Sequence, residues 1–467
     1  MKTMASRSKA EARIKVEKIV DLFGVVVLPA IFLLIHWSIF CWKYNQFGFT
    51  DEVTYANVGR DLLVEHVLRG ESLYALNPDW PNVYGEFGGA FWLFGKGYGS
   101  PWFDHPILWC VILGVFALFF PRGAVWGVRL PSLIFSTSEC LLIYFISRKM
   151  LGRSAALLSV LAYVSTPVII LQSLLSNLES GIRLFGLLSL FFLVRYLEDD
   201  KKICLYASAV LAGLSTLCKL TGVGTIGFLF LILLHERKVG TALRALAVAL
   251  MIASVYPIYG FLINGGLFIA ILSAHAAFFG GGRGLDIVVK HCFFCGGAGL
   301  EGQPWLEPFI IFSWIGLVYL LFQIRSGQFA RHLGIVLVMF VLALMVNGSG
   351  NPSYPGGHTW YFSVLYPFLA LAYGGAVETL LRQPNPIVSL VYMFLMLDPY
   401  LFALFQRMGF AESQFRWIVL AFGATYLAKY AYESPLTSNL CRISFALILL
   451  CTVVGSYFGF WAILAML

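Results

Sequence analysis

Long apolar runs alternate with short polar breaks along most of the chain, and the breaks are where Lys and Arg collect. A run of about 20 apolar residues fits a helix that crosses a bilayer. The first such run covers about 20–41. Others fall at about 129–147, 154–172, 181–197, 203–219, 221–235, 243–267, 308–324, 332–347, 359–381, 386–406, 414–431 and 443–466. Together they predict about thirteen crossings. The run at 107–120 is apolar but short for a crossing. The stretch 49–69, FTDEVTYANVGRDLLVEHVLR, has a different rhythm. Tyr55, Ala56, Gly59, Leu62, Leu63 and Val67 form one helical stripe, and Thr54, Asn57, Asp61 and Glu65 lie opposite. That pattern predicts an amphipathic helix lying on the bilayer surface. Thr50 stands at the N-cap position, and Asp51 and Glu52 fill a first turn, where acidic residues are favoured.

Composition turns the pattern into a class. The chain is 59% hydrophobic and 12% charged, which excludes a soluble domain and predicts an all-α polytopic membrane protein. The first eighteen residues are too charged for a cleavable signal, so the first run is expected to stay as an anchor. The net charge of +8 does not imply nucleic acid, because the cations sit in short loops beside apolar runs, as topology signals do. The basic tail at 1–19, with Lys2, Arg7, Lys9, Arg13, Lys15 and Lys18, is expected in the cytoplasm. If 107–120 crossed, Arg148, Lys149 and Arg153 would fall outside. If it only dips into the interface they fall inside, together with Lys201, Lys202, the 235–238 cluster, Arg325, Arg331, Arg382 and Arg442. The sequence therefore predicts an interfacial or re-entrant 107–120 within one large external loop at 42–128. The expected segmentation is a tail at 1–19, a catalytic transmembrane module at 20–267, an external loop at 268–307 and C-terminal helices at 308–467. A third external loop falls at 348–358.

Three groups of polar residues share the external side of this topology. They are Asp51, Glu52, Asp104 and His105 in the large loop, Glu179 between the third and fourth spans, and Lys219 with His358 and Tyr361. Charge at membrane depth is costly and usually carries a function or a partner. Carboxylates gathered with a cation at one face fit acid–base work beside an anionic headgroup. They equally fit structural ion pairs that hold a loop against the bundle, and the acidic pair alone also fits a simple helix start in a solvated loop. Asp104 and His105, with His275, His291 or His358, are the candidates for a divalent metal, though histidines in external loops are more often plain polar surface. Cys292 and Cys295 lack a second Cys-x-x-Cys, which argues against a zinc ribbon. They read either as a local disulfide or as two free thiols under an aromatic lid. The other seven cysteines, including Cys41, Cys110 and Cys218, read as packing residues. The glycine run at 280–284 lacks the pattern of a phosphate loop and reads as a flexible lid, with Arg283 as a candidate phosphate contact.

Several of these residues sit in collinear motifs. DExxYAxxxRDLL at 51–63 resembles the external-loop motif of GT-C membrane glycosyltransferases, which include the protein O-mannosyltransferases and the lipid A aminoarabinose transferase. WFDHPILW at 102–109, VRLPSLIFS at 128–136, SRKMLGRSAALLSVLAYVSTP at 147–167, LLSNLESG at 174–181 and LAGLSTLCKLTG at 211–222 continue the resemblance. HTWYFSVLYPFLALAYGG at 358–375 adds a late patch. Each motif is weak alone, and their shared order is the signal. The chain departs from the family pattern at Glu179 (usually Asp), Ile107 (usually Pro), Thr54 and His105 (Arg and Lys in some lipid A enzymes) and Trp360 (usually Arg).

The resemblance implies a GT-C-like bundle with amphipathic interfacial helices in the first external loop. It implies transfer of a sugar from a polyprenyl-phosphate donor to an extracytoplasmic protein, lipid or glycan by inverting displacement. The chemistry requires a base near the acceptor and cations near the leaving phosphate. In that reading Asp51 is the base, and Glu52 is its orienting partner or a sugar ligand. Lys219, His105 and Tyr361 bind the donor phosphate, and Asp104, Glu179, Arg129 and His358 shape the substrate pocket. No cofactor is required, while a divalent metal is compatible. Two rival readings are a transporter or lipid flippase, suggested by the span count, and a non-catalytic subunit that keeps the fold. Transporters usually have related halves and midplane polar sites, whereas these charges cluster at one face.

Overall fold

The computed structural model describes residues 17–43, 50–66, 68, 102–103, 105–120, 125–167, 169–170, 175–279, 294–296, 304–323, 327–346 and 359–466. Helix α1 covers 17–43 and includes a π-helical stretch at Phe23–Val27. The amphipathic helix is α2 (Thr50–Glu65), and the short apolar run forms α3 (Leu108–Ala117). Then come α4 (Val125–Met150), α5 (Arg153–Ser165), α6 (Leu178–Asp199), α7 (Lys202–Cys218) and α8 (Val223–His235). Next are α9 (Val239–Ala253) and α10 (Val255–Phe279). A small antiparallel hairpin pairs Phe294–Gly296 with Pro304–Leu306. The chain continues through α11 (Pro308–Leu321), α12 (Gly327–Val346), α13 (Tyr366–Arg382), α14 (Pro386–Met396), α15 (Glu412–Ala431) and α16 (Pro435–Met466). Among the described residues, seven helices are long and apolar enough to cross a membrane, and six shorter apolar helices accompany them.

The apolar run at 243–267 falls in the candidate span Val239–Gly266, with a turn at Ser254 between α9 and α10, and Asn264 leaves helical geometry inside α10 at φ −161° and ψ 90°. Asn264 is followed by Gly265 and Gly266, so weak helix formers coincide with the kink. The segment at 268–307 opens in helix, because α10 continues to Phe279. Helix α2 is not a bare surface helix: α3 packs against it at Gly59, and Asp61, assigned to its polar face, is also buried. With ten residues, α3 rises about 15 Å, half of a hydrocarbon core.

The centre of the bundle is α13, whose span is 89% buried. Small residues permit this. Gly374 lies against Ala155 and Ser159 of α5 with no room for a side chain, the close approach that membrane helices use in place of a hydrophobic driving force. Helices α6 and α7 add reciprocal hydrogen bonds, Ser189 Oγ to the Ser208 carbonyl at 3.0 Å and Ser208 Oγ to the Ser189 carbonyl at 2.8 Å. The stretch Val239–Gly266, by contrast, is only 17% buried. Its exposed Phe261 and Leu262 suit contact with lipid.

Charged residues tie together one end of the bundle. Asp21 of α1 meets Arg148 at 3.3 Å and Arg153 at 3.2 Å, and Arg153 also reaches Glu17 at 2.7 Å. Lys149 pairs with Glu198. Lys238 donates to Asp200 at 2.9 Å, and that hydrogen bond and charge hold the Asp200 carboxyl below the usual carboxylate range. The starts of α1, α5 and α9 and the ends of α4 and α6 therefore meet in one ionic layer. The opposite ends of α4, α6 and α7 carry the candidate site.

Candidate active site

The first wall of the site is the α2–α3 pair. Gly59 and Gly114 face each other, and a Cβ on Gly59 would overlap the Cys110 carbonyl. Glycine is required here for backbone approach. Arg60 donates to the carbonyls of Ala117 at 3.2 Å and Phe120 at 3.3 Å, tying α2 to the end of α3. The 102–109 stretch is tied to the bundle from two sides. Tyr256 donates to the Phe103 carbonyl at 2.6 Å, and the Trp109 indole donates to the Ser176 carbonyl at 3.1 Å.

Glu52 follows from this arrangement. It lies in the first turn of α2, is 3% exposed, and receives Arg129 Nε of α4 at 2.9 Å and the Ser176 amide at 2.5 Å. Both carboxylate oxygens are engaged, and Arg129 is itself buried. Arg129 is thus the counter-ion of Glu52 and links α2 to α4. Removing one partner of such a pair strands a charge in low dielectric.

The second cluster forms where α6 starts and α7 stops. Glu179 occupies the first turn of α6, where a carboxylate suits the helix dipole. Lys219 is extended, with φ −161° and ψ 150°, in the break between α7 and a 3₁₀ turn at Leu220–Gly222. A cation at a helix C-terminus is favoured for the same reason. Lys219 Nζ meets Glu179 Oε1 at 2.6 Å and lies 3.5 Å from the Tyr361 ring centroid, a cation–π contact. The structure thus brings Glu179, Lys219 and Tyr361 together. Glu179 meets the ammonium directly, and Tyr361 meets it through its ring face.

A third cluster escaped the sequence reading. Arg183 of α6 is 2% exposed and lies 3.2 Å from Glu139 of α4, which is fully buried. Tyr163 of α5 donates to Glu139, and Arg183 Nη1 donates to Ser363 at 2.9 Å. The signal was present: both charges lie inside apolar runs, where ionisable residues are rare and need partners. A line of hydroxyls joins this cluster to Glu52. Arg183 Nη2 donates to Ser180 Oγ at 3.3 Å, Ser132 Oγ donates to Ser180 Oγ at 3.2 Å, and the Ser132 and Ser176 hydroxyls are hydrogen-bonded at 3.1 Å. Ser176 closes the line with its amide on Glu52.

The remaining candidates are placed as follows. His105 packs edge-on to Tyr55, with ring centroids 5.9 Å apart, and its carbonyl accepts from the Trp102 indole at 3.0 Å. Asp51 lies in the first turn of α2, and its side chain is outside the described part of the structure. Asp104, His358, His291, Cys292 and Arg283 lie outside the described residues, as do the side chains of His275 and Cys295. Cys110, Cys140, Cys204, Cys218 and Cys441 are buried free thiols. Among the described residues, a three-ligand metal constellation occurs elsewhere, at His235, Glu236 and His332.

Residues 104–261 match the family described as dolichyl-phosphate-mannose-protein mannosyltransferase. Comparison with curated proteins gives no match. The fold resembles ArnT from Cupriavidus metallidurans bound to undecaprenyl phosphate, with TM-score 0.54, 17% identity, and coverage of 94% of this chain and 76% of that one. It also resembles the Archaeoglobus fulgidus oligosaccharyltransferase, with TM-score 0.50, 13% identity, and coverage of 94% and 56%. The arabinosyltransferase EmbB from Mycobacterium smegmatis aligns with TM-score 0.51 and 12% identity, covering 93% of this chain and 41% of that one. The chain therefore shares its fold with these membrane proteins, and its residues 104–261 carry the mannosyltransferase family match.

Proposed function

We propose that this protein transfers a sugar from a polyprenyl-phosphate donor to an acceptor outside the cytoplasm. The observation that carries the reading is Lys219, a cation fixed in a helix break by Glu179 and the Tyr361 ring. Such a cation fits a lipid-linked phosphate, which must stay at a bilayer face while its sugar leaves. In the proposed reaction an acceptor oxygen attacks the anomeric carbon and the bond to the phosphate oxygen breaks with inversion. The acceptor proton passes to Asp51, and the polyprenyl phosphate departs with its new charge facing Lys219 and His105. Glu52 positions Asp51 by anchoring the first turn of α2 through Arg129 and Ser176. Asp104 and His358 belong to the proposed substrate pocket, with Glu179 setting the Lys219 ammonium. The undecaprenyl phosphate bound to ArnT supports a donor of this class.

Lys219→Ala is expected to weaken binding of undecaprenyl phosphate by about 1.5–3 kcal/mol, the worth of one charge-assisted hydrogen bond. Lipid titration of purified protein in detergent measures it. Unchanged affinity in a folded variant would reduce Lys219 to a partner of Glu179. We assign the ionic layer around Asp21 and Arg153 to the cytoplasmic side, because the Lys and Arg of the short loops collect there, including Arg148, Lys149, Arg153, Lys201 and Lys202. A cysteine placed at Arg153 should then resist impermeant thiol reagents in intact cells, and labelling there would invert the topology.

A further inference from the structure

At the ionic end of the bundle, α8 ends at His235 and the chain reverses before α9. Arg237 takes the left-handed conformation, φ 58°, which few non-glycine residues adopt. The reversal sets Glu236 against the first turns of α12. Its Oε1 lies 2.8 Å from His332 Nε2 and accepts from Gln328 at 3.2 Å. The His235 ring stands edge-on to His332, with centroids 5.8 Å apart at 89°. One ligand atom from each of His235, Glu236 and His332 lies within 4.8 Å of the other two. The Glu236–His332 hydrogen bond alone would pin α8 to α12, but it leaves the position of His235 unexplained. Two imidazoles and a carboxylate form a donor set that suits zinc, which takes such ligands at about 2.0–2.2 Å and tolerates a fourth from water. Lys238 is engaged by Asp200, and Arg331 beside His332 is the cation the site has to tolerate.

We propose that His235, Glu236 and His332 form a divalent transition-metal site of zinc type, separate from the candidate active site. The whole of α8, about 20 Å by its helical rise, separates it from the Lys219 break. The ion would clamp the end of α8 to the start of α12. The other end of α8 follows Lys219, and the far end of α12 leads towards Tyr361, so the clamp fixes the register of two elements that carry the phosphate site. This inference does not depend on the sugar-transfer reading, because the ion would be bound whatever the active site does.

The test uses full-length protein purified in detergent without a polyhistidine tag or chelator. Elemental analysis after dialysis against zinc is expected to give about one zinc per chain. Cobalt is expected to give the visible absorption of a low-symmetry site, and zinc to raise the thermal midpoint. His235 is exposed, so His235→Ala should fold as wild type while losing about tenfold or more in zinc affinity together with the thermal shift. His332→Ala should do the same if it folds; if it does not, His235→Ala decides. No retained zinc in the wild type, or equal zinc affinity in His235→Ala, would overturn the site.

Discussion

Asp51→Asn is expected to slow sugar transfer by about a hundredfold or more while leaving fold and undecaprenyl-phosphate binding close to wild type. The expectation comes from how the acidic pair divides its work. Glu52 is committed to Arg129 and Ser176 inside the protein, which leaves Asp51 as the carboxylate of the pair for chemistry. The start of a helix keeps a carboxylate ionised, which lowers its basicity but strengthens its hold on a nucleophile or on positive charge developing at the anomeric carbon. Either contribution disappears in the amide. Single-turnover rates with a polyprenyl-phosphate sugar, read beside the thermal midpoint, separate chemistry from folding. Glu52→Gln should show the opposite signature, a lowered thermal midpoint, because it strands the Arg129 charge. Near wild-type transfer by Asp51→Asn would remove Asp51 from the mechanism.

Arg183→Met is expected to cost about 3–5 kcal/mol of stability, because it leaves the fully buried Glu139 without its cation. Tyr163 and Ser363 cannot replace that charge, since each offers one neutral hydrogen bond. The double variant Glu139→Met with Arg183→Met removes both charges and should recover most of the loss. Unfolding of single and double variants in detergent measures the coupling. If the single variant is as stable as wild type, the cluster holds nothing together. If the double variant is no better than the single, the hydroxyl line to Ser176 matters more than the ion pair.

The apolar runs made the helical class legible, and the collinear motifs made the GT-C fold legible, because both are written in local order. The partnerships were not. Glu52 and Arg129 are 77 positions apart, and Glu52 and Ser176 are 124 apart; no local period encodes such pairs. Glu179 and Lys219 were read separately, as a sugar-pocket acid and a phosphate cation, and folding makes them one ion pair. Asp61 fell on a polar stripe by helical geometry, yet it is buried, while α3 packs against the opposite stripe at Gly59. The kink at Asn264 was hidden because apolar residues continue across it and hydropathy is blind to backbone direction. Glu139 and Arg183 were missed because averaging over an apolar run masks a single charge, although such a charge is what demands a partner.

The central claim is that this bundle breaks the bond between a sugar and a lipid-linked phosphate. Its most direct test is consumption of synthetic polyprenyl-phosphate sugars, presented as a panel of hexose and pentose donors with membrane extract as acceptor, by purified protein in detergent. The account predicts that the wild type converts at least one donor to free polyprenyl phosphate and a glycosylated acceptor, and that Asp51→Asn leaves the same donor nearly untouched. No consumption of any donor by folded wild type, with solute or lipid movement when the protein is placed in liposomes, would contradict it.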